Sequence, residues 1–236
     1  MVYRWIETLQ LALFPPTCLL CGGPGDGRRD LCRDCAAALP RAAVACPLCA
    51  LPLAADAPPL PCGRCQRRPP PFAASHAAFV YAPPLDRLVQ GLKFGQRLSH
   101  ARLLGDLLAA YLETRADPLP ELLLPVPLHP RRQRARGFNQ ALELARPVAR
   151  RLGLTLCAHG CRRLRDTAAQ SGLEAAARRR NVRGAFAVDA AVGGRRVALL
   201  DDVVTTGHTV TELARVVAGA GAERVEVWCL ARAARD

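Results

Sequence analysis

Aromatic side chains are scarce in this chain of 236 residues, which holds two Trp, three Tyr and six Phe. A surface that grips bases by stacking needs a run of such rings, and Phe72, Phe79, Tyr81, Phe94, Phe138 and Phe186 are too scattered to supply one. Long apolar runs are missing as well. Pro or Arg interrupts each of them, so none approaches the roughly 18 residues of a membrane-spanning helix, and membrane insertion is not expected. No small-residue cleavage site precedes Cys18. With one Arg and an internal Glu7, the first residues predict a short amphipathic helix with Trp5, Ile6, Leu9 and Leu13 as its stripe, and a cytoplasmic protein. Lysine is nearly absent too: of 33 Lys and Arg residues only Lys93 is a lysine. Where arginine is the default cation, a surviving lysine marks a place suited to a compact point charge or a titratable amine.

What is present is half apolar residues, an excess of Leu, Val and Ala, and a formal net charge of +13. The charge is uneven. Between Arg131 and Arg183 fourteen arginines face only Glu143, Asp166 and Glu174, a concentration that suits a polyanion such as diphosphate or a nucleic-acid backbone.

Eight of the eleven cysteines form four Cys-x-x-Cys pairs: Cys18 and Cys21, Cys32 and Cys35, Cys46 and Cys49, Cys62 and Cys65. Two thiolates so spaced grip one metal from a tight knuckle, and two knuckles complete a tetrahedron. Two zinc sites of four cysteines each are therefore expected. Consecutive pairing (Cys18, Cys21, Cys32, Cys35; Cys46, Cys49, Cys62, Cys65) is preferred over a cross-braced arrangement because each short loop then closes locally. The segment lacks an apolar core, so metal has to supply its folding free energy. The expected organisation is an N-terminal helix and double zinc ribbon over 1–68, and a larger domain over 69–236 that follows a stiff proline-rich linker at 66–72.

In the larger domain, strands are predicted over 77–81, 122–126 and 225–230, with Cys229 a small buried residue. Helices are predicted over 85–92, 99–115 and 140–152, the last kinked or divided at Pro147. The run Arg131, Arg132, Arg134, Arg136 reads as a basic loop at a strand's carboxyl end. The polar stretch at 157–183 reads as irregular, and Thr167, Gln170, Arg178, Arg179 and Arg180 are its plausible ligand contacts.

The most informative stretch is 197–209. Val197, Ala198, Leu199 and Leu200 make a strand buried on both faces. It stops at Asp201 and Asp202 and passes through Val203, Val204, Thr205, Thr206, Gly207, His208 and Thr209 into a helical pattern. Loop amides and hydroxyls at a helix N-terminus suit a phosphate. Adjacent carboxylates suit the vicinal hydroxyls of a ribose, directly or through Mg2+.

These thirteen positions resemble the motif that binds 5-phosphoribosyl diphosphate (PRPP) in type I phosphoribosyltransferases. The chain as a whole, with its paired knuckles, Leu92-Lys93-Phe94, PVPLH, RGFNQA, NVRGAF and the Asp-Asp motif, resembles the ComF family. The fold this implies is α/β, a type I phosphoribosyltransferase-like parallel sheet flanked by helices behind a small double zinc ribbon. The implied function is a competence protein that acts in DNA uptake, binds single-stranded DNA without sequence choice and carries a PRPP site; other competence proteins are implied partners. The alternative is an active phosphoribosyltransferase, amidophosphoribosyltransferase-like, with an unidentified nitrogen acceptor. Either way, PRPP with Mg2+ is expected to place its 5-phosphate on residues 205–209, its ribose on Asp201 and Asp202, and its diphosphate against Arg131, Arg132, Arg134 and Arg136. Asp201, Asp202 and Lys93 are the catalytic candidates. Val204 stands where the family commonly has Tyr.

Overall fold

A computed structural model describes residues 15–95, 97–165, 182–189 and 191–234. The expected N-terminal helix and the contacts expected of Thr167, Gln170, Arg178, Arg179 and Arg180 lie outside the described residues.

The first segment is built on its cysteines. Helix α1 (Arg33–Ala37) starts at Cys32, whose sulfur accepts from Cys35 N at 3.4 Å, and α2 (Gly63–Arg67) starts at Cys62. Two-residue strands β1 (Val44–Ala45) and β2 (Pro52–Leu53) pair antiparallel between them. The knuckles that open the two halves are alike: Gly22 N donates to Cys18 O at 2.9 Å and Ala50 N to Cys46 O at 2.8 Å. Both turning residues have positive φ, 76° and 54°. A side chain tolerates that region poorly, so Ala50 accepts strain where Gly22 does not.

The larger domain is a five-stranded sheet in the order β3 (Ala74–Val80), β9 (Arg224–Arg232), β8 (Arg196–Val204), β4 (Leu122–Pro125), β5 (Thr155–Leu156), with every pairing parallel. Between strands lie α3 (Leu85–Phe94), α4 (Leu98–Leu112), α5 (Pro130–Arg136), α6 (Gln140–Leu152) and α7 (His208–Gly219). A short antiparallel hairpin, β6 (Cys161–Arg163) with β7 (Phe186–Val188), stands apart from the sheet. The predicted irregular stretch is thus ordered at both of its edges. Helix α6 runs through Pro147 without being divided there, which leaves only the kink of the two expected alternatives. It meets α4 where a side chain on Gly105 would come within 2.3 Å of Pro147 Cγ, so only glycine permits this crossing.

Connectivity fixes where a ligand can enter. The steps from β3 to β4 and from β4 to β5 run one way along the sheet, whereas the step from β8 to β9 runs the other. Because parallel crossovers are right-handed, α4 and α6 cover one face and α7 the other. The direction changes between β4 and β8, and the crevice beyond the carboxyl ends of these two strands is the natural ligand site of such a sheet. Val197, Ala198, Leu199 and Leu200 of β8 are all 0% exposed, as a strand covered on both faces requires. The sheet's β3 edge is covered by the cysteine-rich segment: Val80 N donates to Pro40 O at 2.8 Å and Ser75 N to Pro47 O at 3.3 Å. An edge so capped cannot pair with another chain.

Candidate functional site

The eight paired cysteines gather into two clusters, Cys18, Cys21, Cys32 and Cys35, and Cys46, Cys49, Cys62 and Cys65, with the ligand atoms of each cluster within 4.8 Å of one another. The pairing is consecutive. A zinc tetrahedron with bonds of about 2.3 Å has sulfur–sulfur edges of about 3.8 Å; the Cys21–Cys32 and Cys49–Cys62 separations are both 3.8 Å. The acid–base chemistry also fits a cation. Burial works against the Cys18 thiolate but is outweighed by hydrogen bonds from the Cys32, Cys21 and Leu20 amides, which bring the thiol down to about 6. Cys35, beside the Cys32 sulfur and part-buried, is pushed up to about 12. Four thiols this close cannot all ionise unless a cation offsets their charge, and Zn2+ would supply it.

At the β4/β8 crevice, β8 carries Asp201 and Asp202 past the buried core, and the chain turns at Gly207 (φ 79°), which caps α7. Each carboxylate accepts from the amide that follows it: Asp202 N to Asp201 Oδ1 at 2.9 Å and Val203 N to Asp202 Oδ1 at 2.8 Å. Burial, together with the neighbouring Asp202 carboxylate, pushes the Asp201 carboxyl up to about 8. Lys93, from the last turn of α3, reaches Asp202 Oδ2 at 2.8 Å. The chain's single lysine therefore sits at the Asp-Asp pair, two sequence-distant features brought into one ion pair.

The crevice holds about 130 Å3 and is lined by Lys93, Arg136, Arg163, Asp201, Asp202 and Thr209, among others. A larger and more open depression of about 510 Å3 lies at the other end of the sheet, near Phe72 and Glu223. It has neither paired acids nor a glycine loop, and we place the site in the smaller crevice.

One expectation needs correction. The basic run is not a loop: Arg131, Arg132, Arg134 and Arg136 lie on α5, which starts at His129 and ends at Gly137, φ 82°. Helical spacing then separates the four. Arg132 and Arg136, four apart, are half-buried, while Arg131 and Arg134 are exposed, and of the four only Arg136 lines the crevice. A residue that sequence reasoning missed is Arg163. It ends β6, stacks on Phe186 with its guanidinium 5.5 Å from the ring centre, and lines the same crevice. Only its place before the NVRGAF segment hinted at this. Asn139 of the RGFNQ run proves to be a joint: its Nδ2 donates to Val126 O at 3.1 Å and its Oδ1 caps α6 at Ala141 N, 3.1 Å. This fixes the carboxyl end of β4 to the start of α6.

Comparison with known proteins gives a double zinc ribbon domain over residues 9–66 and a phosphoribosyl transferase domain over residues 139–236. The chain is 41% identical over 224 residues to the DNA utilization protein YhgH of Salmonella typhimurium, which covers 92% of this chain and 97% of that one. It is 37% identical over 181 residues to competence protein F of Haemophilus influenzae, covering 73% and 78%. Among solved structures, the glutamine phosphoribosylpyrophosphate amidotransferase of B. subtilis is 22% identical over 55% of this chain and 25% of that one, with a TM-score of 0.38. Two four-cysteine clusters in tandem, a parallel sheet whose strand β8 carries paired acids ahead of a glycine loop, and relatives 37–41% identical over 73–92% of this chain make one conclusion: the chain belongs to the ComF family.

Proposed function

We propose that this chain is a cytoplasmic DNA-uptake protein that binds single-stranded DNA and holds PRPP with Mg2+ in the β4/β8 crevice. The observation that carries the PRPP reading is the meeting of the Asp201–Asp202 pair, the Lys93 ammonium and the αL glycine loop of α7 at the sheet's switch point. Residues Thr205, Thr206, Gly207, His208 and Thr209 would take the 5-phosphate at a helix N-terminus, where amides and dipole favour an anion. Asp201 and Asp202 would take the ribose hydroxyls, with Mg2+ supplying the positive charge that favours ionisation of the raised Asp201 carboxyl. Arg136 and Arg163 would face the diphosphate. Lys93 balances Asp202 and orients it.

For DNA, support comes from the exposed Arg131 and Arg134 of α5 and from relatives whose names record DNA utilization and competence. Phosphate contacts of this kind carry no sequence preference and weaken steeply with salt.

Calorimetry with PRPP and Mg2+ tests the crevice. The wild type should bind, and the Asp201→Asn/Asp202→Asn pair should lose at least tenfold in affinity, worth about 1.4 kcal/mol. Equal binding by the pair would remove the ribose assignment. Release of diphosphate in the same sample separates a transferase from a binding site. Titrating single-stranded DNA against salt tests the second half of the reading, which fails if the affinity is slight and has no salt slope.

A further inference from the structure

Behind the glycine loop, three consecutive backbone carbonyls accept from arginines. Val204 O accepts from Arg232 Nη1 at 2.8 Å, Thr205 O from the same nitrogen, and Thr206 O from Arg64 Nη1 at 3.2 Å. In a trans peptide the N–H of the next residue points opposite to the carbonyl. Holding these three carbonyls therefore turns the N–H groups of Thr205, Thr206 and Gly207 to the other side, as a nest of donors for an anion.

Both arginines are tied to the second cysteine cluster. Arg232, 2% exposed at the carboxyl end of β9, also donates through Nε to Cys49 O at 3.1 Å. Arg64 lies in α2 between Cys62 and Cys65, two of the cluster's own ligands, so the knuckle that closes on metal also sets the place from which Arg64 reaches the loop. The knuckle bonds of the first cluster stay in its own segment, with Cys18 N on Gly23 O at 2.7 Å and Leu19 N on Asp30 O at 3.0 Å.

We infer that Arg64 and Arg232 are positioning residues of the anion loop, and that metal at Cys46, Cys49, Cys62 and Cys65 governs how tightly the loop holds a phosphate monoester. The inference rests on the phosphate reading of residues 205–209 above. The zinc ribbon is then part of the small-molecule site, not an independent appendage. Two guanidinium groups behind the loop also add positive potential to that of the α7 N-terminus. Coupling of this kind is reciprocal: if the second cluster's metal tightens phosphate binding, bound phosphate must tighten that cluster's hold on its metal by the same factor.

The test uses the full chain with both clusters loaded and ribose 5-phosphate as the probe. Arg64 is exposed, so Arg64→Ala leaves the melting temperature near the wild-type value. It weakens ribose 5-phosphate binding about three- to tenfold, the size of an effect passed through a positioned loop and not through a contact with the ligand, and Arg64→Lys recovers part of it. In the ligand-free protein the amide resonances of Thr206 and Gly207 move in Arg64→Ala, a readout that does not depend on binding. With Co2+ in place of Zn2+, ribose 5-phosphate raises the metal affinity of the Cys46, Cys49, Cys62 and Cys65 cluster and not that of the other, and Arg64→Ala reduces the difference, the Arg232 link to Cys49 O remaining. If the wild type binds ribose 5-phosphate while Arg64→Ala binds it equally and its loop resonances are unmoved, the inference is wrong and the phosphate reading stands. If the wild type itself does not bind, the phosphate reading falls and takes the inference with it.

Discussion

The ribbon and the sheet hold together by different means. In the ribbon the strands are two residues long and the helices five, and its buried side chains are few: Cys18, Leu31, Leu39, Cys46, Ala50 and Cys65. Half of these are metal ligands. The sheet, by contrast, buries Leu122, Leu123 and Leu124 of β4, all of the first four apolar residues of β8, and Trp228 of β9 within one continuous cluster, whose margin Cys18, Leu31 and Leu39 of the ribbon join. One region depends on coordination and the other on apolar area, although they belong to one chain and share a covered edge. Losing metal and losing core should therefore produce separable failures.

Metal removal is the largest test of that separation. Free energy of binding a structural zinc, on the order of 10 kcal/mol, is folding free energy for a ribbon. Stripping both clusters should make residues 15–68 sensitive to protease, while the fluorescence of Trp228, read in a Trp5→Phe background, stays that of a buried indole. Simultaneous loss of both signals would show that the two regions are one cooperative unit. Next comes Leu199→Ala, which opens a cavity in the centre of the sheet and should cost about 2–5 kcal/mol by denaturant titration, with zinc content per chain unchanged. A pH series on Asp201→Asn follows. Burial and the Asp202 carboxylate raise the native Asp201 carboxyl to about 8 from its usual 3.8. Between those values the native chain binds a proton that the unfolded chain does not. This group's contribution is therefore full below about pH 4 and is lost as pH rises through 8. The asparagine variant should lack that decline, so its stability relative to wild type grows from pH 5 to pH 9. The smallest effect belongs to Glu113, whose carboxyl is held below the usual range by Arg151 at 2.6 and 2.7 Å. Both side chains are about a third exposed or more, so Glu113→Gln should cost only about 0.5 kcal/mol, seen as a small shift in a thermal melt.

How much was legible in the sequence followed how local the signal was. The glycine loop and the cysteine knuckles are short patterns with a fixed spacing, and both stand where their patterns placed them; the strand expected to stop at Asp201 runs on through both acids to Val204, because β9 pairs with it that far. Lys93 was legible for another reason, as the one lysine in an arginine-writing chain, and its 2.8 Å contact with Asp202 accounts for it. The arginine run was misread as a loop because charge dominated the reading. Pro130 at the first helical position and Gly137 as a left-handed cap were the local signals for a helix. The β6/β7 hairpin was missed because its strands are three residues each and its flanks are polar. Arg64 and Arg232 were not legible at all. Their partners are backbone carbonyls far along the chain, and a carbonyl carries no mark of which residue will reach it.

The capped edge strand β3 bears on how the chain is made. Its only partner within the sheet is β9, with Ala74 opposite Glu226 and Val80 opposite Arg232. A ribosome delivers the ribbon and β3 early and β9 near the end of the described chain. The ribbon's knuckles close over short loops and can take metal as soon as they emerge, but the strand that follows them has no sheet to join until β9 arrives. Pairings this distant in sequence form late. A ribbon that takes metal first would cover β3, through the bonds to Pro40 O and Pro47 O, before β9 exists to pair with it.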